Sequence, residues 1–215
     1  YGAGKTTIFN LMSRIYDPSE GRLVFEGQDI TRVPPHKIAA LGIARTFQNI
    51  ELFEHATLLQ NLLLARHAHK KSNFWSELLF TPATRRMEIE HREAVEHVID
   101  FLDLQQYRDS FIVNLPYGVR KVTELARALC TNPKLLLLDE PSSGLNVEET
   151  EDMAFWIQDI KNLLGITVLM VEHDMSLVSA VSDRVLALNY GRPLAMGTPS
   201  EVQSHPEVMR AYLGG

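Results

Sequence analysis

Short, continuous apolar runs alternate with helical stretches through the second half of the chain. Such runs are typical of strands buried on both faces, with the intervening helices covering those faces. The pattern therefore predicts an α/β fold in which a mostly parallel sheet is flanked by helices. The predicted strands lie at 135–138, 166–171 and 184–188, and the predicted helices at 147–164 and 175–181.

Composition excludes several classes of protein. The chain has 215 residues, enough for one sizeable core, and a net charge of −6, which does not favour a partner made of nucleic acid. The single cysteine, Cys130, excludes an internal disulfide and a multi-cysteine metal site. Apolar runs such as 135–138 are far shorter than the roughly 20 residues that span a bilayer. We therefore expect a compact α/β protein without a membrane span.

A glycine-rich loop opens the chain. The segment 2–7 reads Gly-Ala-Gly-Lys-Thr-Thr and matches the second half of the pattern G-x-x-x-x-G-K-[ST], which lets backbone N–H groups surround phosphates. The first glycine of the pattern would precede Tyr1, so we expect residues 1–215 alone to bind nucleotide weakly. Lys5 would contact the β and γ oxygens, and Thr6 would ligate Mg²⁺. The predicted nucleotide-binding residues are Gly2, Ala3, Gly4, Lys5, Thr6 and Thr7.

Two acids follow the most apolar predicted strand. Asp139 and Glu140 come directly after four leucines, at 135–138. The carboxyl edge of an open α/β sheet is where ligands bind, so both carboxylates are expected there. Asp139 would hold Mg²⁺ directly or through water, and Glu140 would orient or deprotonate the attacking water.

Four further segments accompany the glycine loop and the acidic strand. The segment 115–129, just before the acidic strand, resembles the signature of the ATPase subunits of ABC transporters, and 143–146 resembles their D-loop. Gln48 is similar to their Q-loop glutamine, and His173 to their switch histidine. The motifs occur in family order along essentially the whole chain. Within the family, the segments 42–49, 116–121, 172–175 and 210–214 resemble the ATPases of branched-chain amino-acid importers.

This resemblance implies an architecture. It is the P-loop NTPase fold of ABC ATPases, spanning 1–215 without its N-terminal strands. The helical pattern after Thr57 predicts an inserted subdomain at 57–115, and a capped helix predicts a C-terminal helical tail at 198–215. Two such subunits would form a head-to-tail dimer in which the glycine loop of one and the signature of the other clasp one ATP.

The resemblance also implies roles for single residues, partners and a location. Glu140, His173 and Gln48 would be catalytic, Tyr117 and Gly118 would bind ATP, and Thr6, Gln48 and Asp139 would hold Mg²⁺. ATP hydrolysis would be coupled to transport through transmembrane permease subunits and, indirectly, an extracytoplasmic substrate-binding protein. The chain would lie peripherally on the cytoplasmic face of the inner membrane.

Some residues depart from the family pattern, and other functions stay open. Pro116 replaces a serine of the signature, Val119 and Arg120 replace a polar pair, and Asn146 replaces an aspartate of the D-loop. Alternatives are a urea or amide importer, a soluble ABC ATPase without a transport role, and a binding module that no longer hydrolyses ATP. A switch GTPase would need an Asn-Lys-x-Asp motif, which the sequence lacks.

The segment after Gln48 predicts one of two environments. Ile50, Leu52 and Phe53 either form an apolar groove that receives a short permease helix or pack the helical subdomain onto the sheet.

Overall fold

The computed structural model describes residues 4–46, 51–68 and 82–212. The chain divides into two compact units. One contains Tyr1–Ile38 and Leu137–Gly215, and the other contains Ala39–Leu136. The second unit includes the segment 57–115, whose boundaries as a helical subdomain stay a prediction. Among the described helices, none combines the length and the apolarity required to cross a membrane.

From β4 to β6 strands and helices alternate, as the sequence predicts for the second half of the chain. The helices are α1 (Lys5–Met12), α2 (Pro35–Ile38), α3 (Leu58–Ala68), α4 (Pro82–Phe101), α5 (Tyr117–Leu129), α6 (Val147–Asn162), α7 (Met175–Val181), α8 (Pro199–Gln203) and α9 (Pro206–Tyr212). The strands are β1 (Val24–Phe25), β2 (Gln28–Asp29), β3 (Ile43–Arg45), β4 (Leu135–Asp139), β5 (Thr167–Val171), β6 (Val185–Asn189) and β7 (Arg192–Gly197). Short 3₁₀ turns lie at Ala39–Leu41, Gln105–Tyr107 and Ile112–Asn114.

The parallel sheet has the order β3-β4-β5. Every residue of β4 is buried, as expected for a continuous apolar strand inside a sheet covered by helices. Its first two residues belong to the unit that contains β3, and its last three belong to the unit that contains β5. The predicted α/β fold with a parallel sheet flanked by helices is therefore confirmed.

Two antiparallel hairpins add to the first unit. The pair β1-β2 has Val24 opposite Asp29, and the pair β6-β7 has Val185 opposite Gly197. The β6-β7 ladder shifts register between Ala187 and Leu188, where a bulge bends the strand. Sequence analysis predicts β6 but not β7.

The helical part of the second unit is held by apolar side chains on facing helices. Helix α3 packs against α4 and α5, and α4 also packs against α5. Leu58 and Leu62 of α3 are fully buried, as is Val95 of α4. Cys130, the C-cap of α5, is 1% exposed, and burial raises the pKa of its thiol to about 12. This core holds α5, and with it the first turn of α5, in place.

In the first unit, α6 covers β5 and packs against α7. The periodicity of the sequence places Met153, Trp156, Ile157, Ile160 and Leu164 on one face of this helix. Met153, Ile157 and Ile160 are buried and Trp156 is half-buried, but Leu164 is 47% exposed. The prediction for Leu164 is wrong because α6 ends at Asn162, so the helical periodicity no longer controls the direction of this side chain.

Candidate functional site

Gly4 begins the helix that follows the glycine loop. It is the N-cap of α1, with φ 85° and ψ 5°, a left-handed conformation that glycine adopts without strain. The first-turn N–H groups of a helix have no acceptor within the helix and therefore face whatever lies beyond its end. Lys5, Thr6 and Thr7 form this first turn. Gly2 and Ala3, which the sequence also assigns to the nucleotide, lie outside the described residues.

The turn between β6 and β7 lies against Gly4. A Cβ atom at Gly4 would be 3.1 Å from the Cα of Gly191 and 3.4 Å from its backbone nitrogen. Tyr190 and Gly191 both have positive φ, of 47° and 76°. Two backbones therefore meet so closely that a Cβ atom on Gly4 would push them a few tenths of an ångström apart, and this contact positions the start of α1.

Lys5 points toward the end of β5. Its Nζ donates a hydrogen bond of 3.5 Å to the backbone carbonyl of Glu172, the residue that follows β5. The lysine ammonium is thereby held at the carboxyl end of a parallel strand, the edge at which open α/β sheets bind ligands. The structure thus brings Lys5 together with the segment that carries His173.

The two acids that follow the leucine run differ in burial. Asp139 is the last residue of β4 and is 3% exposed. Glu140 is half-buried and has φ 49°, a left-handed conformation that is uncommon outside glycine. Its N–H donates to the carbonyl of Val171 at 2.9 Å, which ties the end of β4 to the end of β5. The turn at Glu140 redirects the chain immediately after the buried carboxylate.

His173 lies in the turn between β5 and α7. Its side chain is 64% exposed, and its Nδ1 is 3.9 Å from Oε2 of Glu172. The next residue, Asp174, caps α7 by accepting hydrogen bonds from the N–H groups of Ser176 and Leu177. The hydroxyl and N–H of Ser176 lower the pKa of the Asp174 carboxyl despite opposing desolvation. The backbone on both sides of the histidine is therefore fixed, while the imidazole stays accessible.

Glu172 is a residue to which the sequence assigns no role. Its side chain has no exposed surface, although the adjacent histidine is exposed. The carboxylate accepts one backbone hydrogen bond from Ser142, at 2.8 Å, and two from His173 and Asp174, at 2.9 and 3.2 Å. The sequence signal for this residue is an acid that directly follows a predicted apolar strand and precedes the histidine.

The signature segment forms the start of α5. Pro116 is the N-cap, with extended backbone, and no side chain caps the helix there. Tyr117 is 46% exposed, whereas Gly118 is buried. Arg120 donates to the carbonyls of Leu115 and Val113 at 2.9 and 2.7 Å. The arginine that replaces a polar family residue therefore fastens the loop before α5 to the helix.

Asn146 begins α6. Its side chain accepts the N–H of Glu149 at 2.9 Å, and the Glu149 carboxylate accepts the N–H of Asn146 at 3.0 Å. This is a complete capping box, and asparagine and aspartate serve about equally well at the N-cap position. The replacement of the family aspartate thus leaves the helix start intact.

The segment that follows Gln48 is attached to α5. Gln48 itself and Ile50 lie outside the described residues. The N–H of Glu51 donates to Oε1 of Glu124 at 2.7 Å, and the guanidinium of Arg127 donates to the carbonyl of Glu51. Glu124 is buried, and desolvation raises the pKa of its carboxyl. One peptide of this segment is therefore held at both its N–H and its carbonyl.

The two residues after Glu51 face opposite environments. Leu52 is 8% exposed, whereas Phe53 is 57% exposed. The backbone of Phe53 is fixed by Asn61, which accepts its N–H at 2.8 Å and donates to its carbonyl at 3.1 Å. Packing in the core, one of the two predicted environments, therefore holds for Leu52 and is wrong for Phe53.

The first unit offers groups for a phosphate and for a cation. The N–H groups of the first turn of α1 and the Lys5 ammonium can donate to phosphate oxygens, and the oxygens of Thr6 and Asp139 can bind a cation. Within the described ranges, no three His, Cys, Asp or Glu side chains gather as a metal cluster. A cation here would take most of its ligands from phosphate and water, as Mg²⁺ does in nucleotide sites.

Two family models match the chain. Residues 1–143 match the model described as ABC transporter, and residues 192–215 match the model described as branched-chain amino acid ATP-binding cassette transporter.

Curated relatives are similar over almost the whole chain. The high-affinity branched-chain amino acid transport ATP-binding protein BraF of Pseudomonas aeruginosa is 43% identical over 99% of this chain and 84% of its own length. LivG of Escherichia coli, which has the same description, is 40% identical with the same coverage. A crystal structure of an ATP-binding cassette of an ABC transporter in its ADP conformation superposes with a TM-score of 0.83. It is 29% identical and covers 99% of this chain and 84% of that one.

Proposed function

Because this chain belongs to the ABC transporter family as an ATP-binding and ATP-hydrolysing subunit, we propose that it powers an importer of branched-chain or other hydrophobic amino acids. The observation that carries the substrate class is the match of residues 192–215 to the C-terminal model of branched-chain amino-acid cassettes. BraF and LivG, the relatives described above, support the same class by their descriptions. A urea or amide importer is the alternative within the family.

Transport by the assembled complex tests the substrate class. The subunit would be co-purified with its permease partners, inserted into vesicles with ATP on the side of this subunit, and supplied with the binding protein on the other side. Uptake of labelled leucine, isoleucine or valine is the expected result. Uptake of urea or acetamide without these amino acids would overturn the substrate class. Failure to co-purify with any membrane protein would favour a soluble ABC ATPase.

We propose that the start of α1 binds the phosphates of ATP. The N–H groups after Gly4 would face the phosphate oxygens, and the positive end of the helix dipole would favour their charge. Lys5 would then exchange the carbonyl of Glu172, 3.5 Å away, for the β and γ oxygens. Gly2, Ala3 and Thr7 complete the proposed loop.

Thr6, Asp139 and Gln48 are the residues we propose to hold Mg²⁺. The hydroxyl, carboxylate and amide oxygens of these three side chains are hard donors of the kind that Mg²⁺ prefers. When bound, the ion would supply positive charge that neutralises the phosphate oxygens. Asp139 suits this role because its burial at the end of β4 fixes its position.

Glu140 and His173 are the proposed catalytic pair, with Gln48 as the third member. Glu140 would accept or orient a proton of the attacking water. His173, whose side chain is 64% exposed, would contact the γ-phosphate and report its presence. Support comes from the bond between Glu140 and Val171, which brings the two catalytic turns to the same end of neighbouring strands.

A second copy of the subunit is proposed to complete the site. The N-terminus of α5, with exposed Tyr117 and buried Gly118, would face the γ-phosphate bound by the other subunit. Pro116 offers neither a hydroxyl nor an N–H, so backbone donors of the following residues must replace the family serine. Hydrolysis would therefore require a dimer.

We propose that the permease docks beside Phe53, which would place the chain peripherally on the cytoplasmic face of the inner membrane. Phe53 is exposed at the end of the segment that begins with Gln48, and Phe111 and Val113 are also exposed. The N–H of Val113 donates to the carbonyl of Glu54, so Val113 lies close to Phe53. An apolar surface of this kind suits a short permease helix.

A further inference from the structure

Glu172 joins the two loops that carry the proposed catalytic residues. One loop follows β4 and contains Glu140 and Ser142, and the other follows β5 and contains His173. A single buried carboxylate accepts hydrogen bonds from both: Oε1 from Ser142, and Oε2 from His173 and Asp174. The bond to Ser142 bridges 30 positions of sequence.

Because this carboxylate is buried, the loss of its hydrogen bonds would be costly. The side chain has no exposed surface, so water cannot readily replace a lost acceptor, and a buried N–H without a partner is costly. Ser142, its donor in the other loop, is 7% exposed. Glu172 also contacts the phosphate loop through its backbone, because its carbonyl accepts the hydrogen bond of Lys5. Glu172 therefore meets three segments proposed to surround the γ-phosphate.

From this geometry we infer that Glu172 is a positioning residue, which holds the turn of Glu140 and the turn of His173 in one fixed arrangement. The inference rests on the proposed catalytic roles of these two residues. The pair is held by the bond from Glu140 to Val171 and by the bond from Ser142 to Glu172, one on each side of the turn after β4. A displacement of one loop is thereby transmitted to the other.

The chemistry of the carboxylate is specific. Three N–H donors surround it, and an ionised carboxylate has acceptor sites on both oxygens. Glutamine has the same shape, but its NH₂ group would face an N–H donor at one of the two ends. Aspartate keeps the charge and is one methylene shorter, so it cannot span the distance between both loops. Glu172→Gln therefore tests the charge of the side chain, and Glu172→Asp tests its length.

The test compares Glu172→Gln, Glu172→Asp and Glu201→Gln in the ATPase assembled with its permease partners. Glu201 is the matched control because its carboxylate also accepts a backbone N–H, from Thr198 at 2.8 Å, but only caps α8. For both Glu172 variants we expect kcat to fall by about 10–100-fold, the scale of a small misplacement of reacting groups, with KM for ATP within about twofold. The control should keep wild-type kinetics.

Hydrogen exchange supplies a second measurement. In Glu172→Gln or Glu172→Asp, exchange at the Ser142 amide should become faster, while the Glu140 amide, bonded to Val171, stays protected. Wild-type kcat in folded Glu172→Gln, or unchanged exchange at Ser142, would overturn the inference. If Glu172→Gln does not fold, Glu172→Asp decides by the same measurements. Glu140→Gln is measured beside them. Normal turnover in Glu140→Gln would contradict the proposed catalytic site, whereas an inactive Glu140→Gln together with a fully active Glu172→Gln would contradict only this inference.

Discussion

The Cα of Gly191 lies 3.1 Å from the ideal position of a Cβ atom on Gly4, closer than an ordinary van der Waals contact. Because both segments are backbone at this point, neither can yield as a flexible side chain would. Because of this close approach, the first turn of α1 keeps its position only if residue 4 is glycine.

Gly4→Ala should therefore weaken ATP binding. The change imposes positive φ on alanine, at a cost of about 1–2 kcal/mol, and also pushes α1 from Gly191. Gly21→Ala is the matched control, because Gly21 has φ 82° and nothing within 4 Å of its Cβ position. Both variants should lose stability in thermal unfolding, but only Gly4→Ala should lose affinity in ATP titrations. Equal affinities would show that the contact with Gly191 is unimportant.

Glu140→Gln should slow ATP hydrolysis by about 10²–10⁴-fold, the usual scale for a positioned general base. Amide and carboxylate have the same shape, so ATP binding should stay near normal and an ATP-bound dimer should accumulate. Single-turnover kinetics and size-exclusion chromatography measure the two effects. The control is Glu207→Gln, an exposed glutamate in the first turn of α9. Normal turnover in Glu140→Gln would remove this residue from the mechanism.

Lys5→Ala and Asp139→Asn should weaken the binding of ATP or Mg²⁺ itself. Both side chains would act on charge that is present in the bound nucleotide before any bond breaks. Titration of each variant with labelled ATP, at several concentrations of Mg²⁺, measures the loss. Lys37→Ala removes an exposed lysine of α2 and should bind ATP normally. Wild-type affinity in both site variants would refute the assigned roles.

Phe53→Ala should separate transport from ATP hydrolysis. The side chain is 57% exposed, so its loss should change the free energy of unfolding by no more than about 0.5 kcal/mol, as for other surface substitutions. Basal ATP turnover should stay near normal while uptake by the complex falls. Leu52→Ala provides the contrast, because this buried neighbour should cost about 2–5 kcal/mol in chemical denaturation. Normal uptake in Phe53→Ala would exclude this residue from the permease contact.

The free energy of unfolding should depend on pH through Glu124. Burial raises the pKa of its carboxyl above the ordinary value of 4.5, so the folded chain retains the proton where the unfolded chain has released it. Between these two pKa values, the contribution of Glu124 to stability therefore falls as pH rises. Glu124→Gln should remove this slope, which denaturation of both proteins across the window would reveal. Parallel stability curves would show that Glu124 titrates normally.

Local rules were sufficient to predict much of the fold. The capping box of Thr198 and Glu201 is present as the sequence indicates, because its residues are only three positions apart. The sequence does not predict strand β7 because Pro193 and a glycine at either end of the segment are untypical of a strand. Pro193 pairs with Leu188 beside the bulge, at which Leu194 of β7 has no partner in β6. Propensity and spacing therefore predict elements well where the pattern is local.

The contacts that support the candidate site are harder to predict from the sequence. Lys5, Asp139 and Glu140 stand in recognisable motifs, but the bond from Ser142 to Glu172 joins residues 30 positions apart. The contact between Arg127 and the carbonyl of Glu51 joins residues 76 positions apart. No periodicity relates such partners, because they meet only once the sheet and helices have packed.

Because Cys130 is buried, a second cysteine could be labelled selectively for spectroscopy. It is the chain's single cysteine, and its raised pKa keeps the thiol protonated at neutral pH. Since thiolate is the reactive species, maleimide labels should leave the natural side chain unmodified. A cysteine introduced at Val147, which is 78% exposed, would then carry a fluorophore or spin label selectively. Distances between the two subunits of the proposed dimer could then be followed through ATP binding and hydrolysis without first replacing the native residue.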